Sequence, residues 1–362
     1  MKFNALFTGL YCNTDLVFAI VCYFLSDLPS ILSDSRIGFI DPHGVYFSDK
    51  RHRRTGKNWR LKDVYTEMES IPDQFLPYKG VFGCSDKVFS QGYFDGTLFR
   101  FPLRVKPSEL SETLYTPEKM DALFESFKAA AQMMLLFLQH VESIELYVRE
   151  ESDPNSRRLF QVKIAEKSLQ TVRVKRKEFC EKITPGEVMP ACVSVTYPIT
   201  IETVDFDLSM GEAVRQQSFL ITNYLCGGKV SSQFKRLMTD KELGYLPTVG
   251  VAMALPTDPK HQTPTIQGHV FCSLPLPMQK TSLTGLPVHV NGFFALSQNR
   301  RYIKTPNAEQ EDQVRAGWHL TGKSLLWNKC LLEEAIPRAY ATVVMEAISG
   351  SSHRVPKLAI YK

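Results

Sequence analysis

The residues with the most recognisable chemical spacing lie in the segment "GWHLTGKS", from Gly317 to Ser324. It fits the phosphate-loop pattern G-x-x-x-x-G-K-[ST], in which backbone amides, here between Gly317 and Gly322, cradle the phosphates. Lys323 would then contact the terminal phosphates and Ser324 would bind magnesium. Such a loop follows a buried strand, whereas the preceding residues, "TPNAEQEDQVRA", are polar. We therefore expect Lys323 and Ser324 to cap a helix, and a nucleotide hydrolase built on this loop is the alternative.

Other catalytic and metal-binding patterns are absent from the sequence. There is no HExxH, G-x-S-x-G or G-x-G-x-x-G, and histidines such as His269 and His289 have no locally spaced partners. The eight cysteines are scattered, with no CxxC pair, so neither zinc nor a disulfide framework is expected. Unpaired cysteines are typical of a reducing compartment, and we expect a cytoplasmic protein.

Basic residues concentrate in one short segment around Trp59. They are Lys50, Arg51, Arg53, Arg54, Lys57, Arg60 and Lys62. A nucleic-acid-binding protein is a second alternative function, but Trp59 alone offers little base stacking. The net charge of +5 is also mild, so we expect a solvated loop and no specific nucleic-acid partner.

The elements that would position these residues follow from periodicity and turn chemistry. Apolar residues at helical spacing predict a helix over about Pro117 to Val141, with Thr116 as N-cap. A polar break at Arg149 to Arg158 is the best linker candidate, and alternating strand patterns follow it. A C-terminal helix is expected over about Ser324 to Ile348, with a kink or break at Pro337.

The N-terminal apolar run, Leu16 to Leu25, has ten residues and is shorter than a bilayer-spanning helix of roughly 20 residues. A membrane anchor through this run is therefore the alternative interpretation, and no membrane partner is expected.

Several longer phrases resemble the repeat region of the sacsin family. They are "SDLPSIL" (26–32), "IGFIDPH" (37–43), "PYKGVFG" (77–83), "GTLFRFPLR" (96–104), "GLPVHVNGFFALSQNRR" (285–301) and "LLWN" (325–328). The resemblance covers nearly the whole chain, from about Tyr23 to Ile348. It implies a co-chaperone-like protein of quality control, whose partners are chaperones of the seventy-kilodalton heat-shock class or client proteins.

The resemblance also implies a fold. Sacsin repeats begin with a domain of the GHKL (Bergerat-type) ATPase superfamily, which is shared with the ninety-kilodalton heat-shock chaperone. We therefore expect an α+β chain: the C-terminal part of a GHKL mixed sheet with helices on one face, then a second α+β domain with a mostly antiparallel sheet. The expected boundaries are 1–22 for an atypical insert, 23–150 for the partial GHKL domain and 151–362 for the second domain.

Two groups of site residues are carried over from the superfamily. Gly96 and Thr97 match a Gly-Thr at the start of a late strand that helps form the nucleotide site, although Thr97 could simply begin a β-branched strand after a turn at Asp95 to Thr97. Arg300 or Arg301 matches a basic residue that the second domain of related proteins sends to the terminal phosphate. The alternative is a hairpin at Asn291-Gly292 followed by a solvated arginine pair.

The chain departs from the superfamily in its nucleotide motifs. The helix with the catalytic Glu and metal-binding Asn, the adenine-binding Asp and the glycine-rich loop would all precede "FNAL" (3–6), and about sixteen extra residues separate that phrase from "YFLSDLPS" (23–30). We interpret this as a fragment or an imperfect gene model. We therefore expect a binding module without ATPase activity of its own and without a cofactor; ATP and magnesium would be used only if the upstream motifs were supplied.

Overall fold

The structure is a computed structural model that describes residues 25–49, 51–150, 155–183, 191–206, 213–255, 266–277, 282–297, 301–304 and 320–349. The chain divides into two compact units. Unit 1 comprises Met1–Lys128 and Leu146–Leu159, and unit 2 comprises Ala129–Glu145 and Phe160–Lys362. The expected insert at 1–22 lies outside the described residues.

Unit 1 contains a four-stranded sheet with the order β3-β2-β1-β4. Its strands are β1 (Ser30–Asp34), β2 (Arg36–Ile40), β3 (Gly56–Arg60) and β4 (Phe94–Arg100), and all three pairings are antiparallel. Period-two alternation places Leu32, Ile37 and Leu98 in the core, each 0% exposed. The basic segment expected to be a loop thus supplies a strand at Gly56–Arg60, because its backbone pairs with β2.

Short helices α1 (Tyr65–Ser70), α2 (Pro72–Phe75) and α3 (Asp86–Gln91) follow the first three strands of unit 1. Phe75 of α2 packs edge-on against Phe39, with ring centroids 5.7 Å apart, and Trp59 packs edge-on against the same Phe39 at 5.8 Å. This edge-to-face geometry is favourable beyond the area buried. Aromatic packing, rather than long helices, therefore closes this part of the core.

The predicted amphipathic helix is α4, which spans Pro117–Met134 and so ends before the expected Val141. Thr116 caps it as predicted, since its Oγ1 accepts the N–H of Lys119 at 3.4 Å. After the helix the chain stays buried: Leu135 is 0% exposed, and its carbonyl accepts Arg176 Nη2 at 2.6 Å. The guanidinium of Arg176 thus satisfies a carbonyl that a further helical turn would otherwise have bonded.

Unit 2 contains most of an eight-stranded sheet with the order β11-β10-β12-β9-β8-β7-β6-β5. The strands are β5 (Ser143–Val148), β6 (Arg157–Ile164), β7 (Val193–Asp205), β8 (Ala213–Leu225), β9 (Thr248–Leu255), β10 (Val270–Cys272), β11 (Leu274–Pro275) and β12 (Val288–Gly292). Of the pairings that are described, only β10 with β12 is parallel. The long β7–β8 hairpin forms the centre of the sheet.

Helices pack against the sheet of unit 2. Those among the described residues include α5 (Glu166–Cys180), α6 (Ser232–Met238), α7 (Leu320–Cys330) and α8 (Ile336–Ser349). Helix α5 packs on β7, whereas α8 packs on β8 and β9. Trp327 of α7 and Phe234 of α6 are both 0% exposed and their ring centroids are 5.5 Å apart. These aromatic rings anchor the hydrophobic core of unit 2.

The expected kink at Pro337 takes a particular form. A π-helical turn, Leu331–Ala335, joins α7 to α8, so Pro337 is the second residue of α8. Proline lacks an N–H and clashes with a preceding helical carbonyl, and a wider turn just before it accommodates both effects. The chain therefore passes this proline without leaving the helical conformation.

The architecture is α+β with two sheets, as expected, and the sheet of the second unit is mostly antiparallel.

Candidate functional site

Gly96 and Thr97 lie inside β4, where a turn was expected. Ser33 pairs with Thr97, but the next residue of β1, Asp34, pairs with Phe94, so Asp95 and Gly96 form a bulge. Gly96 has a φ of +142°, a conformation that side chains rarely adopt. The prediction of a turn was wrong because β1 continues to pair across this point; the glycine instead permits the bulge.

The hydroxyl of Thr97 forms a hydrogen bond within the sheet. Its Oγ1 lies 2.7 Å from the Oγ of Ser33, its cross-strand partner. A threonine hydroxyl has one donor hydrogen, and a cross-strand hydroxyl pair is a common stabilising contact of sheets. The geometry therefore gives Thr97 a role within the strand pair; the carry-over of Gly96 and Thr97 to a nucleotide site remains a hypothesis.

A buried ion pair lies at the exit of β4. Arg104, whose side chain is 1% exposed, donates from Nε and Nη2 to Asp27 Oδ1 at 2.8 and 2.6 Å. Ser108 Oγ donates to the same oxygen at 2.7 Å. Burial alone would raise the pKa of Asp27, but the bonds from Arg104 and Ser108 outweigh it and hold the pKa below 3.8. We call Asp27, Arg104 and Ser108 the Asp27 cluster.

The Asp27 cluster joins two of the sacsin-like phrases, because Asp27 belongs to "SDLPSIL" and Arg104 ends "GTLFRFPLR". Neither residue was among the site residues expected from the sequence. The sequence feature that could have indicated this ion pair was one acidic residue in "SDLPSIL" and one arginine, two residues after Pro102, at the end of "GTLFRFPLR". A carboxylate that accepts three hydrogen bonds is a poor base. The Asp27 cluster therefore holds the two segments together and does not transfer protons.

A second buried carboxylate organises the "IGFIDPH" phrase. Asp41, 1% exposed, accepts the backbone N–H groups of Val45, Tyr46 and Phe47 at 2.9, 2.8 and 3.0 Å. Gly44 has a φ of +64°, which lets the loop fold back over the carboxylate. The aspartate of this phrase is therefore a loop organiser.

Residues of the phosphate-loop candidate already contact other side chains of unit 2. Gly317 lies outside the described residues, while Gly322, Lys323 and Ser324 lie in α7. Lys323 Nζ lies 2.7 Å from Asp240 Oδ2 and 2.7 Å from Glu242 Oε2, and these two carboxylates raise the pKa of the lysine. The ammonium that a phosphate would need is thus already neutralised, and Ser324 is only 6% exposed. The helix has begun by Leu320, so Lys323 does not lie at its start as expected.

The arginine candidates follow β12. Arg300 lies outside the described residues, and Arg301 is exposed next to an antiparallel pairing of Leu296 with Ile303. The alternative of a hairpin at Asn291-Gly292 is wrong, because both residues lie in β12 and pair with β9. Asn291 Oδ1 moreover accepts the N–H of Ser273 at 2.8 Å, which holds it in the sheet.

Two other sacsin-like phrases meet just after β12. Asn328, from "LLWN", accepts the N–H of Ala295 through Oδ1 at 2.8 Å and donates through Nδ2 to the carbonyls of Ala295 and Lys304, each at 2.8 Å. Trp327 Nε1 donates to the carbonyl of Phe293 at 2.8 Å. These buried side chains attach "GFFALS" to α7, so this pair of phrases also has a structural role.

The basic segment is partly neutralised. Lys50 lies outside the described residues; Lys57 Nζ lies 3.1 Å from Glu67 Oε1 and 4.6 Å from the centre of the Trp59 ring. Arg54 lies 3.5 Å from Asp49. Trp59 packs on Phe39, which leaves less of its ring for base stacking. These contacts match a solvated structural face more closely than a nucleic-acid groove.

No group of three or more His, Cys, Asp or Glu side chains in the described part of the chain is placed to hold a metal ion. The buried His289 accepts the backbone N–H of His269 through Nδ1 at 3.1 Å. Burial, with a smaller effect of His269, lowers the pKa of His289 to about 4, so this imidazole is neutral near pH 7. It acts as a structural acceptor.

No helix among the described residues is long and apolar enough to cross a membrane. Most of the apolar run at 16–25 lies outside those residues.

Comparison with known proteins agrees with the sacsin-like phrases. A family model described as "Sacsin domain" matches residues 16–161. Human Sacsin is 36% identical over 338 residues, which amount to 90% of this chain but only 7% of Sacsin. The match thus extends through both units and far beyond the isolated phrases. The chain belongs to the sacsin family.

Proposed function

We propose that this chain is a binding module of protein quality control that does not hydrolyse nucleotides by itself. Its partners would be chaperones of the seventy-kilodalton heat-shock class or client proteins, and its compartment the cytoplasm. The membership in the sacsin family supports this assignment. The six cysteines described in the structure form no disulfide, which suits a reducing compartment.

The observation that carries the proposal is that the residues expected to contact a nucleotide already bond to other groups of the protein. The Thr97 hydroxyl bonds to Ser33, and the Lys323 ammonium lies between Asp240 and Glu242. One neutral hydrogen bond contributes about 0.5–1.5 kcal/mol, whereas micromolar affinity requires about 8 kcal/mol. Groups already satisfied inside the protein supply even less, so these residues do not make a nucleotide site.

Thermal unfolding with Mg-ATP tests the absence of nucleotide binding. A competent site with ATP at about 100-fold its dissociation constant would add about 2.7 kcal/mol, a shift of several degrees. We expect no shift beyond that given by magnesium with inorganic triphosphate. An adenine-selective shift lost in Thr97→Val would instead support the GHKL site, and one lost in Lys323→Ala would support the phosphate loop.

The partner assignment needs a separate experiment. Purified seventy-kilodalton heat-shock chaperone and a chemically unfolded client protein are each titrated with the full chain, and binding is followed by fluorescence anisotropy. We expect saturable binding of at least one of them that does not require ATP. Failure to bind either would overturn the proposal, whatever the result of the nucleotide experiment.

A further inference from the structure

Two cysteines of unit 2 lie opposite each other where β7 begins and β8 ends. The antiparallel pairing of β7 with β8 places Ser194 opposite Tyr224 and then Val193 opposite Leu225. The next pair in the same register is Cys192 with Cys226. The Sγ of Cys192 lies 3.4 Å from the carbonyl oxygen of Gly227, which places this thiol beside the end of β8.

The hydrogen bonds define the type of this cross-strand pair. The N–H of Cys226 donates to the carbonyl of Pro247 at 2.9 Å, on the side of β8 that faces β9. In an antiparallel strand the N–H and C=O of one residue point to the same neighbour, so Cys226 forms no ladder bond with Cys192. In such non-hydrogen-bonded pairs the Cα atoms are about 4.5 Å apart, which is within the range of about 4.4–6.8 Å found for disulfides.

The two thiols differ in access. Cys192 is exposed, whereas Cys226 is 0% exposed beneath the helical layer of unit 2. Burial, with a smaller contribution from Cys192, raises the pKa of Cys226 to about 12. Cys192 is therefore the thiol that a reagent from solution reaches first, and Cys226 is the thiol that can resolve the product.

We propose that Cys192 and Cys226 are a redox-active pair that small-molecule disulfides, such as glutathione disulfide, oxidise to a cross-strand disulfide. The Cys192 thiolate attacks one sulfur of glutathione disulfide, and one glutathione thiolate leaves. The Cys226 sulfur then attacks Cys192, gives up its proton and expels the second glutathione thiolate. The protein pair loses two electrons and two protons, and glutathione disulfide gains them as two thiols.

The expected disulfide is reversible. The Cα separation of about 4.5 Å in such a pair lies at the short end of the disulfide range, whose most common value is about 5.5–6 Å, so the backbone must adjust when the bond forms. Strained disulfides are more easily reduced than relaxed structural ones. Such a bond suits a transient redox response in a compartment that otherwise keeps thiols reduced.

Peptide mapping tests the proposal on the full chain. The protein is incubated with glutathione disulfide, alkylated while folded, digested with trypsin without reduction and analysed by mass spectrometry. The two cysteines fall in different tryptic peptides, 183–215 and 216–229. We expect these peptides to become cross-linked, and the cross-link to disappear after treatment with dithiothreitol.

Three variants make the result specific. Cys192→Ser should abolish the cross-link, and Cys226→Ala should leave Cys192 as a glutathione mixed disulfide. Cys180→Ser, which replaces a half-buried cysteine of α5, should leave the cross-link unchanged. The proposal is overturned if the wild-type protein stops at the mixed disulfide, or if Cys192 becomes linked to another cysteine or another chain.

Discussion

At the scale of single residues, the buried polar groups explain why the sacsin-like phrases contain the residues they do. Asp27 and Arg104 are far apart in sequence and meet in one ion pair, while Asp41 holds three backbone amides of its own loop. These side chains are placed for stability. A phrase that identifies a family can therefore consist of structural residues, and it does not by itself mark an active site.

The Asp27 cluster predicts a pH-dependent stability. The pKa of Asp27 is lowered in the folded protein, so its pairing stabilises the fold above the unfolded pKa of about 3.9 and is lost as the pH falls through the lower folded value. Asp27→Asn leaves Arg104 buried without its counter-charge. We expect a loss of about 3 kcal/mol at pH 7 in urea unfolding, and a smaller deficit at pH 3.

A matched control is Glu142→Gln, which removes the exposed pair that Glu142 forms with Arg173 at 2.6 Å. Solvent screens this pair, so its loss should cost no more than about 1 kcal/mol at pH 7. An Asp27→Asn deficit that is the same at pH 7 and pH 3 would show that the side-chain amide disturbs the packing and that ionisation is not involved.

At the scale of elements, the amphipathic pattern of α4 identified a helix but not the burial of each apolar residue. Leu123 is 42% exposed, whereas Leu135, just beyond the helix, is 0% exposed. Both residues belong to the same periodic series in the sequence. Periodicity gives the direction of a side chain, and the neighbouring elements decide whether that side chain is covered.

Leu135→Asp and Leu123→Asp form a matched pair for this element. The first places a charge without a partner in the core of unit 2, and we expect a loss of more than about 4 kcal/mol or a failure to fold. The second places the same charge on an exposed helical surface, where an effect of about 0.5 kcal/mol is typical. Urea unfolding followed by circular dichroism measures both; comparable losses would contradict the described burial.

At the scale of the whole molecule, the described residues include two separate hydrophobic clusters, one in each unit. Leu32 belongs to the cluster of unit 1 and Leu237 to that of unit 2, and they are 0% and 1% exposed. Each cluster consists of residues from one unit only. A single free energy of unfolding is then a poor description of the chain, since multi-domain proteins often depart from two-state behaviour.

Calorimetry of two variants tests this division. Leu32→Ala and Leu237→Ala should each cost about 2–5 kcal/mol in the unit that carries the change. We expect two thermal transitions, with Leu32→Ala lowering the temperature of one and Leu237→Ala that of the other, each by several degrees. If both variants shift one common transition equally, the two clusters unfold as a single cooperative unit.

The sequence by itself determined the family, the α+β class, the amphipathic helix with its Thr116 cap and the strand-rich second half. These features depend on local propensity, periodicity and long ordered phrases, which are all readable along the chain. The mostly antiparallel second sheet was expected from the resemblance to the sacsin family, and the short alternating strand patterns after the linker agree with it.

Only the tertiary structure decided the register and the partners of single side chains. It placed Asn291-Gly292 inside a strand, made Gly96 part of a bulge and put the Lys323 ammonium between two carboxylates. It also brought Cys192 opposite Cys226. Each of these outcomes depends on residues distant in sequence, because strand pairing and ion pairing are set by whichever segment the fold brings alongside.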